Sequence, residues 1–164
     1  MITIYKNGEL HFQNKIYKCA IGKNGIKKKK QEGDGCTPEG IYSLGPLYYR
    51  SDRIKKLKTY FKPIPLEKDM FWSDHPHSEH YNKLIRFKDS SCESLYKENH
   101  TYDIIVVINY NISPIIKGKG SAIFLHLAKK DFSPTSGCIA LKKKCLFEIL
   151  EKLDISNRIR IVSD

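Results

Sequence analysis

Short strand-like segments separated by turn residues run along most of the chain, and this pattern restricts the possible folds more than any other feature. Residues 2–5 alternate apolar and polar side chains and lead to Asn7-Gly8, a pair that predicts a type I′ hairpin turn. Apolar side chains recur at helical spacing between residues 142 and 153, and segment 46–70 suits a short helix or an exposed strand. Further strands are predicted at residues 41–44, 103–110, 121–127 and 158–162. The sequence therefore predicts a mainly β protein with one or two helices.

The length of 164 residues is typical of one domain, so we expect residues 1–164 to form a single domain. Apolar residues make up 40% of the chain and charged residues 29%, which excludes the disordered and fibrous classes. The longest apolar runs are far shorter than the roughly 18 residues that a transmembrane helix needs. The first residues lack the continuous apolar core of a signal peptide, so a cytoplasmic location is expected if the sequence is complete.

The net charge of +11 comes mainly from lysine, since only five of the 29 basic residues are arginine. Surfaces that bind phosphate groups rely on arginine more heavily. We therefore predict no nucleic-acid partner and treat the charge as a general affinity for anionic molecules. A basic binding module without enzymatic activity stays open as an alternative.

Neither the cysteines nor the histidines form a recognisable metal motif. The five cysteines are odd in number and lack paired CxxC spacing, which argues against a disulfide framework and a cysteine-rich zinc site. His75, His77 and His80 lie within six residues and could bind zinc in a loop, but no HExxH helix accompanies them. We predict no metal and no cofactor.

His126 and Cys138 form the most informative pair in the sequence. His126 ends a predicted strand, and Cys138 follows 12 residues later, directly after Gly137. A cysteine nucleophile needs a nearby base to form its thiolate and backbone N–H groups to stabilise the oxyanion, and a glycine permits the turn that directs such groups. On spacing alone, a buried structural cysteine and an ordinary strand histidine remain the alternative.

Two motifs in this region resemble the L,D-transpeptidase catalytic domain family (YkuD-like). The family signature is a histidine at a strand end, a variable loop, and then [ST]-H-G-C followed by an apolar residue. That signature is matched by Thr135, Gly137, Cys138 and Ile139, and an upstream T-P-x-G-x-[FY] strand is matched by Thr37, Pro38, Gly40 and Tyr42. The two motifs occur in the family's order, and the resemblance covers about residues 20–162.

Three positions depart from the commonest pattern. Ser136 replaces a histidine, Leu127 stands where a glycine often follows the catalytic histidine, and Ala140 stands where many members have arginine. That arginine helps to orient the site or its anionic substrate. This orienting role would therefore be absent here or filled by another basic residue. The candidates are Arg50, Arg53 and Arg86.

The resemblance implies a β-sandwich of mixed sheets and a cysteine acyltransferase acting on peptidoglycan stem peptides. Cys138 would attack the carbonyl of the third stem residue, the L-centre of diaminopimelate, and His126 would move the proton to the departing D-Ala. An amine acceptor would make the protein an L,D-transpeptidase, whereas water would make it a cytosolic L,D-carboxypeptidase of murein recycling. Most of the family is exported, which implies the periplasm or cell envelope instead.

Site roles follow from the same resemblance. The N–H groups of Gly137 and Cys138 would form the oxyanion hole, and a backbone carbonyl would orient His126. The partner would be a stem peptide or muropeptide, and we expect a monomer. The residues expected to bind substrate are Thr37, Gly40, Arg53, Trp72, Tyr81, Asn82 and Ser136. Of these, Trp72, Tyr81 and Asn82 are chosen because they lie in a polar loop that suits a cleft, and either aromatic side chain could equally belong to the core. A basic module that binds nucleic acid or wall polymer is the remaining alternative.

Overall fold

The computed structural model describes residues 1–28 and 31–163 and has a mainly β fold with one α-helix in these residues. The strands are β1 (Ile2–Tyr5), β2 (Glu9–Phe12), β3 (Lys15–Ala20), β4 (Ile26–Lys27), β5 (Thr37–Pro38), β6 (Gly40–Tyr49), β7 (Pro63–Pro65), β8 (Phe71–Ser73), β9 (Leu84–Ile85), β10 (Cys92–Ser94), β11 (Ile104–Ile108), β12 (Phe124–Leu127), β13 (Ile139–Leu141) and β14 (Arg158–Ile161). The helix, α1, spans Lys143–Leu150.

Two mixed sheets form a sandwich. The sheets share two strands, β3 and β6, each of which begins in one sheet and ends in the other. One sheet joins β3, β2, β1, β14 and the first half of β6. The other joins the second half of β6 to β7 and β11, and continues through β12 and β13 to the end of β3. Within these two sheets, the pairs β1–β14, β12–β13 and β6–β7 are parallel and the others are antiparallel, while β4 and β5 form a separate parallel pair. The prediction of a mixed β-sandwich is confirmed.

The strand β6 changes sheets near Gly45, where the backbone has a φ of 99°. This φ value favours glycine, because a side chain on Cβ disfavours the left-handed region. Residues 40–43 of the strand pair with β14, whereas residues 44–49 pair with β11. The register with β11 shifts between Val106 and Ile108, as expected where a long strand bends.

Strand alternation separates two apolar cores. On β11, Ile104, Val106 and Ile108 belong to the main core between the sheets, whereas Ile105 and Val107 belong to a second core. The second core is covered by a small sheet formed by β10, β8 and β9. Both Phe124 of β12 and Cys138 belong to this second core.

The helix α1 is held by burial. Leu146, Ile149 and Leu150 are buried against the main core, and the N-terminal residue Lys142 makes no side-chain capping hydrogen bond. A helix this short depends on such tertiary packing for its stability. No helix in the described part of the chain has the length and apolar character needed to cross a bilayer.

The first turn differs from the prediction. The loop between β1 and β2 holds three residues, and only Gly8 has a positive φ, so it is not a two-residue type I′ turn. The type I′ backbone signs occur instead at Gln13-Asn14, with φ values of 47° and 60°, between β2 and β3. Segment 46–70 forms no helix, and it contains the end of β6 and β7.

Candidate active site

Parallel pairing of β12 with β13 places His126 and Cys138 on the same face of the second sheet, because Cys138 lies two residues before Ala140, the partner of His126. His126 lies on β12 opposite Ala140, and Cys138 directly precedes β13. The loop that joins the two strands is fixed at Thr135, whose N–H donates to the Ile21 carbonyl at 2.9 Å and whose carbonyl accepts from Lys23 N–H at 2.8 Å. The two side chains line one cavity of about 390 Å³.

The thiol of Cys138 points at a strained backbone segment. Its Sγ lies 3.2 Å from the carbonyl oxygen of Ala122, which has a φ of 53°. Asn82 supports this conformation, because its Oδ1 accepts from the Ala122 N–H at 3.1 Å. Cys138 is 8% exposed, and its side chain lines the cavity.

His126 is oriented by a backbone carbonyl. Its Nδ1 lies 2.9 Å from the Leu127 carbonyl oxygen, which can only accept a hydrogen bond, so Nδ1 carries the proton. The other ring nitrogen, Nε2, therefore keeps its lone pair. Burial lowers the pKa of His126 to about 4, although the Leu127 carbonyl works in the opposite direction. The imidazole is neutral at physiological pH and is in the form required of a base.

The cavity is also lined by carboxylate groups, lysine ammonium groups and hydroxyl groups. Its polar lining includes Glu32, Asp74, Glu93, Lys97, Thr101, Tyr102, Ser121, Lys129, Ser133, Thr135 and Ser136. Of the residues expected to bind substrate, Ser136 lies in this lining. The other six lie elsewhere in the described structure.

Trp72, Tyr81 and Asn82 form a buried support beneath the cavity. The indole N–H of Trp72 donates to Asn82 Oδ1 at 2.9 Å, and its ring packs against Phe124. Tyr81 is 1% exposed, and its hydroxyl donates to Glu32 and accepts from the Gly120 N–H. These side chains position the walls of the cavity and do not form them.

Thr37 and Gly40 lie outside the cavity lining and make contacts that hold the backbone in place. The Thr37 hydroxyl is buried and accepts from the Gly22 N–H at 2.8 Å, which ties β5 to the end of β3. Gly40 has a φ of 143°, and a Cβ at this position would lie 2.5 Å from the Tyr42 hydroxyl. The upstream motif therefore fixes the course of the chain into β6.

None of the three candidate arginines lines the cavity. Arg53 bonds to Asp103 at 2.7 Å and to the carbonyls of Glu98 and Asn99. Arg50 donates to the Lys97 carbonyl, and Arg86 pairs with exposed carboxylates. Positive charge reaches the cavity through Lys97 and Lys129 instead.

Gly137 has a φ of 142°, a backbone conformation that favours glycine. Its N–H donates to the Thr135 hydroxyl at 3.1 Å, and that hydroxyl donates in turn to the Cys138 carbonyl at 2.6 Å. This short-range bonding within the loop competes with the expected oxyanion role of the Gly137 N–H. The Gly137 N–H would have to break its hydrogen bond to the Thr135 hydroxyl before it could donate to an oxyanion.

The three clustered histidines point to different neighbours. His75 and His77 lie edge to face, whereas His80 packs on Phe87. Across residues 1–28 and 31–163, no group of three or more His, Cys, Asp or Glu side chains is arranged to hold a metal ion.

Sequence reasoning missed Tyr102, Glu93 and Lys97. Tyr102 lies just before β11, and Ile105 of β11 lies opposite His126 of β12. A tyrosine at the start of the strand that pairs with the histidine strand was an available signal. Glu93 and Lys97 come from a three-residue strand and from a loop, where no periodicity marks them.

The mixed β-sandwich thus brings a cysteine and a neutral histidine into one cavity. The chain belongs to the L,D-transpeptidase catalytic domain family, YkuD, whose family model matches residues 1–161. The resemblance seen in the two motifs is thus confirmed.

Comparison with curated proteins found no match. Among solved structures, one match is a mutant form of the helical cell shape determining protein Pgp2 from Campylobacter jejuni, with 17% sequence identity and a TM-score of 0.44. The match covers 99% of this chain and 46% of that chain, so this chain spans about half the length of the matched protein.

Proposed function

We propose that the protein is a cysteine acyltransferase that cleaves peptidoglycan stem peptides between the third residue, the L-centre of diaminopimelate, and the D-Ala that follows it. The observation that carries this proposal is the shared cavity of Cys138 and His126 in a chain of the YkuD family. The match over residues 1–161 also supports our proposal that the chain is one catalytic domain.

In the proposed reaction, His126 Nε2 takes the proton from Cys138 Sγ, and the thiolate attacks the carbonyl carbon of the third residue. The tetrahedral intermediate then breaks its C–N bond, and the D-Ala amine leaves with the proton from His126. A thioester on Cys138 remains. The hydrogen bond from Nδ1 to Leu127 supports this assignment, because it leaves Nε2 as the base.

Charges of both signs in the cavity suit a zwitterionic stem peptide. Lys97 and Lys129 are available for substrate carboxylates, whereas Glu32, Asp74 and Glu93 favour a cationic amine. We propose that the acceptor is an amine of a second stem, which makes the enzyme an L,D-transpeptidase. The carboxylates that line the cavity support this choice over water, the acceptor of an L,D-carboxypeptidase.

The test is incubation of the protein with a disaccharide tetrapeptide, followed by mass analysis of the products. We expect loss of D-Ala together with a crosslinked dimer. Loss of D-Ala with only tripeptide would identify the carboxypeptidase. A disaccharide tripeptide, which lacks D-Ala, is the matched control substrate.

Failure of the intact protein to release D-Ala would overturn the proposal. Binding of muropeptide that falls steeply with added salt and survives loss of Cys138 would then identify a basic binding module.

A further inference from the structure

A tyrosine, a glutamate and a lysine form a linked polar group beside the thiol. The Tyr102 hydroxyl donates to Glu93 Oε1 at 2.6 Å, and Lys97 Nζ donates to the same oxygen at 2.8 Å. Lys97 Nζ also lies 4.0 Å from the centre of the Tyr102 ring. Two interactions therefore hold the phenol, the Lys97–Glu93 pair links their partners, and all three residues line the cavity.

Tyr102 lies beside both members of the proposed catalytic pair. Its ring packs edge to face on the His126 imidazole with centroids 5.1 Å apart, and it lines the same cavity as Cys138, whose side chain helps to raise the pKa of the phenol. Tyr102 and Cys138 also belong to the same buried cluster.

We propose that Tyr102 is a further catalytic residue: its hydroxyl donates a hydrogen bond to the Cys138 thiolate, and Glu93 and Lys97 position that hydroxyl. The inference rests on the proposed use of Cys138 as the nucleophile, but not on the identity of the acyl substrate. During ionisation the S–H bond of Cys138 breaks, and the proton goes to His126 Nε2. The Tyr102 hydroxyl keeps its proton. Its O–H group rotates, so that it donates to Cys138 Sγ and no longer to Glu93 Oε1.

The surroundings keep Tyr102 in the donor form. Burial, and then the negative charges of Cys138 and Glu93, raise the pKa of Tyr102 well above its ordinary value. When the hydroxyl turns to sulfur, Lys97 remains paired with Glu93, so the carboxylate is not left alone. The other titratable or charged groups around Cys138 are His126, Glu32, Asp74 and Lys129.

The rate of Cys138 alkylation by iodoacetamide as a function of pH tests this directly, because only the thiolate reacts. Mass spectrometry of peptides distinguishes Cys138 from the other cysteines. Tyr102→Phe keeps the ring against His126 and removes the hydroxyl. We expect its profile to move to higher pH and alkylation at pH 7 to slow by roughly tenfold, the value of one charged hydrogen bond.

The matched control is Tyr96→Phe, because Tyr96 stacks under Arg50 and does not line the cavity. Its profile should equal that of the wild type. An unchanged profile for Tyr102→Phe, in a variant with the wild-type melting temperature, would overturn the proposal. An equal shift in Tyr96→Phe would do the same.

Glu93→Gln tests the positioning role. Gln keeps an acceptor for the hydroxyl but competes less strongly with the thiolate, so the profile should move to lower pH. In the Tyr102→Phe background this effect should be largely lost, because Glu93 acts through the hydroxyl. An equal effect in both backgrounds would show that Glu93 acts on the thiolate only through its charge, and would contradict its proposed role in positioning the Tyr102 hydroxyl. Absence of D-Ala release would refute the substrate assignment and leave these alkylation results unaffected.

Discussion

At the residue scale, backbone carbonyls contact both side chains of the proposed catalytic pair, and burial also acts on His126. The Leu127 carbonyl selects the tautomer of His126, and burial keeps the ring neutral. The Ala122 carbonyl oxygen accepts a hydrogen bond from the Cys138 thiol. The site is thus prepared by main-chain groups, which depend on the surrounding buried side chains for their positions.

Buried, neutral His126 makes folding stability depend on pH. Its pKa falls from an ordinary 6.5 to about 4 in the folded protein, so between these values the unfolded chain binds more protons. Stability present above pH 6.5 is therefore lost as the pH falls towards 4, by roughly 3 kcal/mol in total. We expect urea unfolding at pH 7.5 and 4.5 to show this loss in the wild type and a smaller one in His126→Gln. Equal losses would contradict the assigned burial effect.

Asn82 is expected to be structural. Its side chain accepts from Trp72 and Ala122 and donates to the carbonyls of Tyr110 and Asn111, and its φ is 57°. Asn82→Ala leaves buried partners unpaired, so we expect a loss of about 2–4 kcal/mol in urea unfolding. Asn111, which has a φ of 52° and bonds mainly at the surface, provides the control Asn111→Ala, with a smaller expected loss. A stable Asn82→Ala variant with only a raised KM would instead support direct substrate binding.

At the element scale, the sequence predicts what periodicity encodes and misses what tertiary contacts create. The alternating and buried runs predicted β1, β11 and β14, and helical spacing predicted α1. The predicted strand at 121–127 begins later, at Phe124, because Ala122 adopts a positive φ held by Asn82. Strands β8 to β10 are two or three residues long, too short to show a period.

The packing of α1 gives a prediction at this scale. Leu146 is fully buried in the main core, whereas Lys144 on the same helix is exposed. Leu146→Ala should lower the free energy of unfolding by about 2–5 kcal/mol, because it leaves a cavity. Lys144→Ala should stay within about 0.5 kcal/mol of the wild type. Similar urea midpoints for the two variants would show that α1 does not contribute to the core.

At the scale of the whole molecule, the cavity combines residues from distant parts of the chain. Cys138 and His126 were predictable because one local motif contains them. Tyr102, Glu93 and Lys97 join them only through the pairing of β11 with β12 and through the small sheet over the second core. For Trp72 and Tyr81 the sequence left cavity wall and core both open, and the fold buries them beneath the site.

The proposed thiol chemistry needs no Lewis acid, so we expect EDTA to leave D-Ala release unchanged. His75→Ala, His77→Ala and His80→Ala should each retain turnover, because these rings do not line the cavity. Added zinc should inhibit by binding Cys138 and His126. Loss of activity with EDTA and its recovery with zinc would favour a metallopeptidase built on the three histidines.

The most direct test of the central claim is D-Ala release from a disaccharide tetrapeptide by two cysteine variants. Cys138→Ala should abolish release, because the thioester cannot form. Cys145→Ala should retain it, because Cys145 lies in α1, packs against the main core and does not line the cavity. Near wild-type release by folded Cys138→Ala, or its loss only in Cys145→Ala, would contradict the assignment of Cys138 as the nucleophile.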